Sequence, residues 1–372
     1  MSDVAVREIE VEGFTSISHA TVRLGRINVF VGANGAGKSN FIRVLELLGR
    51  IADRELRLYV GVNGGASAML DQITPAREIR LVLRGPARSY TAHLVPGAND
   101  EMIFAKEVIE SDGIEIPLGV GHGESGLSGR VRGGRPSPEQ TMFPPFEDTS
   151  DLVKGCRVFH FHDTSRDAPV KRLNPTADNL ALRSDAGNLA AVLLSMRDSQ
   201  DNSAYQRIVA VVRQVAPFFR DFVLQPENSD RVRIRWQQTD SDVIFSANQM
   251  SDGTLRFICL ATLLLQPNLP HLVVLDEPEL GLHPFAVVQL AGLLHQASTR
   301  AQVLLATQSV TLMNQFDIED LIVVERTGGG SVFTRPDAQH LAAWLEEYSL
   351  GELWEKNLLG GRPGPAGSSP YA

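Results

Sequence analysis

Gly32-Ala33-Asn34-Gly35-Ala36-Gly37-Lys38-Ser39, followed by Asn40, decides how the rest of the chain is read. It matches the spacing G-x-x-x-x-G-K-[ST], in which glycines let backbone N–H groups turn inward around phosphate oxygens. Its surroundings suit that use. A β-type run at 27–31 leads in, and over 39–51 the apolar residues Phe41, Ile42, Leu45, Leu48 and Ile51 recur at helical spacing. A helix opening there adds its orphan N–H donors and positive dipole end. Lys38 would then reach the β- and γ-phosphates of a nucleotide, and the Ser39 hydroxyl would bind Mg2+. The competing reading is a glycine-rich turn without a ligand.

Far downstream, Leu272-Val273-Val274-Leu275-Asp276-Glu277 is an aliphatic run ending in two acids. Acids at the end of a buried strand are expensive unless something cationic faces them. Asp276 is therefore assigned to Mg2+ and Glu277 to polarising an attacking water. Taken alone, such a run more often caps the next helix. Lys38 and Asp276 stand 238 positions apart, so a large insert divides the two motifs, unlike in compact nucleotide kinases.

The intervening sequence is not a simple βαβ array. Runs at 4–11 and 21–24 precede the glycine loop, and runs at 78–83, 89–94 and 102–109 alternate in a way that predicts a partly antiparallel sheet. Residues 111–151 are rich in Gly, Pro and Ser and poor in large aliphatics, which predicts a mobile loop. A β run at 157–162, a turn-like stretch at 163–174, helices near 185–196 and 205–215, and β runs at 222–225, 232–236 and 243–245 make an inserted lobe. From 255 the pattern is helix 255–265, strand 271–275, helix 284–296, strand 302–306, helix 310–315 and strand 321–324, an alternation that implies parallel strands. Residues 337–356 read as helical and 360–372 as disordered. The expected divisions are 1–110 (first half with the glycine loop), 111–151 (loop), 152–250 (lobe), 251–336 (second half) and 337–372.

Charge excludes one class of surface. With 35 Lys+Arg against 44 Asp+Glu the formal charge is −9, so the surface is not built throughout to hold nucleic acid. Cys156 and Cys259 lie far apart inside apolar runs, which predicts two core thiols and a reducing compartment. No window reaches the roughly 18 uncharged apolar residues of a membrane span. A cytoplasmic protein without membrane contact is expected.

Between the lobe and the acidic strand, Met250-Ser251-Asp252-Gly253-Thr254 resembles the signature turn of ABC-type ATPases, with Asp252 replacing a glycine and Thr254 the usual Gln or Glu. Ser251-Asp252 acting as a plain helix cap is the competing reading. Pro278-Glu279-Leu280-Gly281-Leu282-His283-Pro284 resembles the D-loop region of RecF- and OLD-like ATPases. Ile9-Glu10-Val11-Glu12-Gly13-Phe14-Thr15-Ser16 is similar to the opening of RecF- and SMC-like ATPases, and Tyr348-Ser349-Leu350-Gly351-Glu352-Leu353-Trp354 to the ending of stand-alone ones.

The resemblance implies an α/β P-loop NTPase fold: an ABC-ATPase head with a mixed sheet, an antiparallel β subdomain and an inserted helical lobe. It implies ATP and Mg2+ as cofactors and a homodimer across ATP, in which Ser251 and Gly253 complete the partner's site. Gln308, in Thr307-Gln308-Ser309, stands where the family commonly has a histidine switch. Glutamine can donate a hydrogen bond to a γ-phosphate oxygen but cannot carry a proton. At the usual Q-loop junction stands His160-Phe161-His162-Asp163-Thr164-Ser165, where His162 or Asp163 would contact metal or water, or merely form a turn. RecF-like kinship implies DNA repair or DNA-end handling with DNA as partner. The alternative is an ATP-gated regulatory subunit that controls a separately encoded nuclease or other effector such as a toxin, as related ATPases do in phage defence.

Overall fold

The computed structural model describes residues 5–72, 77–127, 151–227 and 230–360. The chain forms two compact units, residues 1–158 with 270–274 and 317–372, and residues 159–269 with 275–316.

In the first unit, a six-stranded antiparallel sheet runs in the order Ile17–Arg23, Glu8–Phe14, Ile79–Arg84, Arg88–Pro96, Met102–Ser111, Ile114–Gly119, with buried and open residues largely alternating along its first strand. Ile9 and Val11 are fully buried on one face, paired with Val22 and Leu83 or with Ala20 and Leu81. The other face sets Glu8, Glu10 and Glu12 beside Arg23, Arg80 and Arg84. Opposite charges across neighbouring strands favour this register over a one-residue slip. Burial pushes the Glu10 carboxyl up, but the bond from Arg84 and the charge of Arg80 hold it below its ordinary value.

Two parallel strands, Ile27–Val31 and Leu321–Thr327, pair Leu321 with Val29 and Val323 with Val31. A Gly328-Gly329 turn returns the chain antiparallel as Gly330–Thr334, giving a mixed sheet. Phe30, Phe41 and Phe333 cluster with ring centroids 5.1–5.5 Å apart and seat the helix Lys38–Asp53.

The second unit packs the helices Leu189–Asp198, Ser203–Val215, Asp252–Leu265 and Pro284–Ser298. A small antiparallel sheet, Phe219–Phe222, Arg235–Gln238, Ile244–Ser246, carries an aromatic core of Phe219, Phe222, Trp236 and Phe245. Both cysteines are buried, and burial pushes each thiol up to about 12, so they are inert packing residues. Among the described residues no helix is long and apolar enough to cross a membrane.

Several expectations are corrected. The loop expected from 111 onward contains the strand Ile114–Gly119. Asp112 and Gly113, at φ 52° and 80°, turn the chain into a hairpin on Met102–Ser111, and an edge strand needs backbone partners more than aliphatic bulk. Residues 120–127 are fastened to buried Glu107, which accepts from Tyr90, His122, Ser125 and the Gly126 N–H. Residues 128–150 of that expected loop, and 361–372 of the expected tail, lie outside the described residues. The first strand runs three residues further than expected, to Phe14, and the helices Leu56–Val62 and Ala66–Met69 were not anticipated. Residues 337–356 hold two helices, Ala338–Leu345 and Leu350–Glu355, because Ser349 and Glu352 form a capping box that restarts the chain.

Candidate functional site

In the first unit the glycine loop is shaped by close backbone approach. A Cβ on Gly32 would lie 2.2 Å from the Val324 carbonyl oxygen, and one on Gly37 would lie 2.0 Å from Ser331 Oγ. Gly37, at φ 117°, is also the N-cap of the helix Lys38–Asp53. That helix has no acid in its first turn, so its positive dipole end is left for an anion.

Lys38 is buried, and its Nζ donates to the carbonyl oxygens of Gly32 at 2.7 Å and Ala33 at 3.0 Å. The ammonium is thus held against the glycine loop. Asn34 and Gly35 are exposed at the tip, Ala33 is half-buried, Ala36 is buried and Ser39 is exposed. Asn40 takes a structural part: its Nδ2 donates to Ser16 Oγ at 2.7 Å, and Ser16 Oγ bonds Ser331 Oγ at 2.7 Å. This trio, in which Ser16 and Ser331 are buried and Asn40 is half-buried, pins the base of the loop, with Ser331 N–H donating to Ser16 O. Ser16 ends the stretch Ile9 to Ser16, but nothing in sequence spacing pairs it with Ser331.

In the second unit, Asp276 ends the strand Leu272–Asp276, half-buried behind four buried aliphatics. Glu277 follows with φ 42°, a left-handed conformation that a non-glycine residue adopts only when its surroundings enforce it. Its N–H donates to Ala306 O at 2.9 Å, and Gln308 Nε2 donates to its Oε1 at 2.6 Å. The structure therefore brings together Glu277 and Gln308, which the sequence places 31 positions apart.

Two neighbours of this pair were missed. Glu279 accepts from Thr307 Oγ1 on Oε1, while its Oε2 is buried without a hydrogen-bond partner. Burial raises its pKa; bonds from Thr307, its own backbone and the Gln308 backbone offset this in part, and the charge of Glu277 adds to the rise. Arg256, on the helix Asp252–Leu265, donates to Leu280 O at 2.9 Å and His162 O at 2.8 Å. An arginine one turn into a helix gives no sequence signal of either contact.

Ser251 is the N-cap of that helix, its Oγ accepting from Thr254 N and bonding Thr254 Oγ1 at 2.7 Å. Gly253 lets the helix start lie against the next loop: a Cβ there would be 2.5 Å from Gly281 O. His283 caps the helix Pro284–Ser298, its Nδ1 accepting from Phe285 N. At the expected Q-loop junction, Asp163 Oδ1 accepts from Ser165 N at 3.0 Å, and the Ser165 side chain, followed by this backbone bond, holds the Asp163 carboxyl below its ordinary value. The Asp163 side chain forms a local turn contact there.

Residues 27–314, well over half of the chain, match the family model described as "AAA domain, putative AbiEii toxin, Type IV TA system". The chain belongs to this family. Its fold is that of a RecF/SMC-like P-loop ATPase. A solved SmcHead bound to the C-winged helix domain of ScpA is similar at TM-score 0.53 and 14% identity, over 91% of this chain and 99% of that one. The Smc head domain with an extended coiled coil, bound to the C-terminal domain of ScpA derived from Pyrococcus furiosus, gives TM-score 0.52 and 14% identity over 92% and 99%. At such identity the likeness is one of fold, the ABC-ATPase head. No curated protein matches this AAA-family chain.

Proposed function

We propose that this AAA-family chain is a Mg2+-dependent ATP hydrolase working as an ATP-sandwiched homodimer. The observation that carries the reading is Lys38, buried and fixed over a glycine loop at an acid-free helix N-terminus. Lys38 and the N–H groups of residues 32–40 bind the triphosphate, as phosphate loops do. The Ser39 hydroxyl and the Asp276 carboxylate are hard oxygen donors of the kind Mg2+ takes, and they would hold it. Bound there, Mg2+ neutralises charge on the phosphate oxygens. Glu277, aimed by Gln308, accepts a proton from the attacking water, and Gln308 senses the γ-phosphate.

Exposed Leu280, Phe285 and Val288, at 50%, 49% and 42% of their full accessibility, follow Glu277 closely in sequence and support contact with a second copy. Ser251 and Gly253 complete the partner's site in that assembly.

The biological use follows one of two lines. RecF-like kinship favours DNA repair or DNA-end handling. The family description and the net charge of −9 favour an ATP-gated subunit that controls a separately encoded nuclease or toxin. ATPase assays with and without DNA ends and gaps separate them, since DNA stimulation with steep salt dependence belongs to the first line alone.

The central test is hydrolysis itself. Lys38→Ala is expected to weaken ATP binding by about 100-fold or more, the loss of a charge-assisted contact to phosphate. Glu277→Gln is expected to bind Mg·ATP normally, lose hydrolysis by about 100-fold and accumulate a dimer on a sizing column. A Glu277→Gln chain that stays monomeric at saturating Mg·ATP would argue against the sandwich.

A further inference from the structure

We propose that Glu279 is a positioning residue for hydrolysis, holding both the turn that carries Glu277 and the turn that carries Gln308. The proposal rests on Glu277 being the group that activates water. Glu277 is strained at φ 42° and needs restraint on both sides. On its N-terminal side the restraint is its N–H bond to Ala306 O. On its C-terminal side the turn closes through Leu280 N to Glu277 O and Leu282 N to Glu279 O, at 3.1 and 3.0 Å. The Glu279 side chain anchors that turn by accepting from Thr307, whose residue is wholly buried.

The same hydroxyl does a second task. Thr307 Oγ1 accepts from Ser309 N at 2.9 Å, and Ser309 Oγ accepts from Leu312 N to cap the next helix. Gln308 lies between Thr307 and Ser309, so the relay Glu279–Thr307–Ser309 sets where its amide starts. One carboxyl group thereby fixes both ends of the 2.6 Å bond between Gln308 and Glu277. Glu279 touches no reacting atom; it acts through the direction of the Glu277 carboxylate. Its buried Oε2, without a partner, fits the neutral acid, because an ionised oxygen there would go unsolvated beside Glu277.

The test compares Glu279→Gln, Glu279→Ala and Thr307→Val in the full chain, with Glu277→Gln alongside. The readouts are kcat and the equilibrium affinity for Mg·ATP. Glutamine keeps a neutral group whose oxygen still accepts from Thr307, so Glu279→Gln is expected to keep kcat within about threefold of the parent. Glu279→Ala and Thr307→Val are expected to lower kcat by about 30-fold while affinity stays within about twofold, since only the aim of the acid is lost. A kcat of Glu279→Ala or Thr307→Val equal to the parent's overturns the proposal, as does an affinity that falls in step with kcat. Full hydrolysis by Glu277→Gln overturns the proposal and the reading beneath it together. Loss in Glu277→Gln with full rate in Glu279→Ala overturns the positioning role alone.

Discussion

A methyl group on Gly32 would meet the Val324 carbonyl oxygen at 2.2 Å, and backbone cannot swing aside as a side chain can. Gly32→Ala is expected to destabilise by roughly 1–3 kcal/mol through overpacking. In a chain of 372 residues that lowers Tm by about 1–2 °C per kcal/mol, measurable by calorimetry, and an unchanged Tm would contradict the geometry. Glu279 gives a second residue-scale expectation. Its folded pKa is raised, so the folded state holds this proton more tightly than the unfolded state does. Its contribution to stability is complete below the unfolded value and is lost as pH rises through the folded value. Glu279→Gln should therefore flatten the decline of Tm as pH rises above the ordinary glutamate value of about 4.5, relative to the parent; identical pH profiles would rule that out. Lys38, Asp276 and Glu277 stand out as candidates from residue type and spacing alone. Glu279 does not, because a carboxyl group shows its burial and its partner only once the chain is folded.

Ser251 shows what an element demands of its first residue. As N-cap it satisfies the Thr254 N–H, a role whose loss to alanine costs about 1 kcal/mol but whose loss to glycine costs only a few tenths. Ser251→Gly thus separates the cap from the proposed contact with a partner's nucleotide. The expected outcome is a Tm close to the parent's with ATP hydrolysis lowered by about tenfold, the order of one lost phosphate contact. Unchanged hydrolysis would leave Ser251 a cap and nothing more. Among the elements, those with strong periodicity were readable: the helices Lys38–Asp53 and Pro284–Ser298 and the strands Ile27–Val31 and Leu272–Asp276 lie within a few residues of expectation. The strand Ile114–Gly119 was not, since its exposed Ile114 and its Pro117 carry no core signal and its partner strand alone defines it.

At the scale of the whole molecule, a sandwich mechanism makes activity a property of pairs. Turnover per chain is expected to rise with protein concentration until dimerisation saturates, and rates strictly proportional to concentration across that range would count against it. The charge of −9 sets a second expectation: added salt should strengthen association between two copies by screening their repulsion, unless the contact is itself built on ion pairs.

The sequence by itself determined the chemistry on offer, because a phosphate loop and an acidic strand end are local patterns in which residue type, spacing and flanking periodicity carry the information. It also determined which face of the first strand points inward, since alternating Ile and Val against Glu permits one face in and one face out, while the pairing of that strand with its neighbours came from the fold. Only the tertiary structure decided which groups hold those patterns in place. Ser16 meets Ser331 across 315 positions, and Thr307 meets Glu279 across 28. Such pairings arise from where strands end in space, and no periodicity along the chain encodes them.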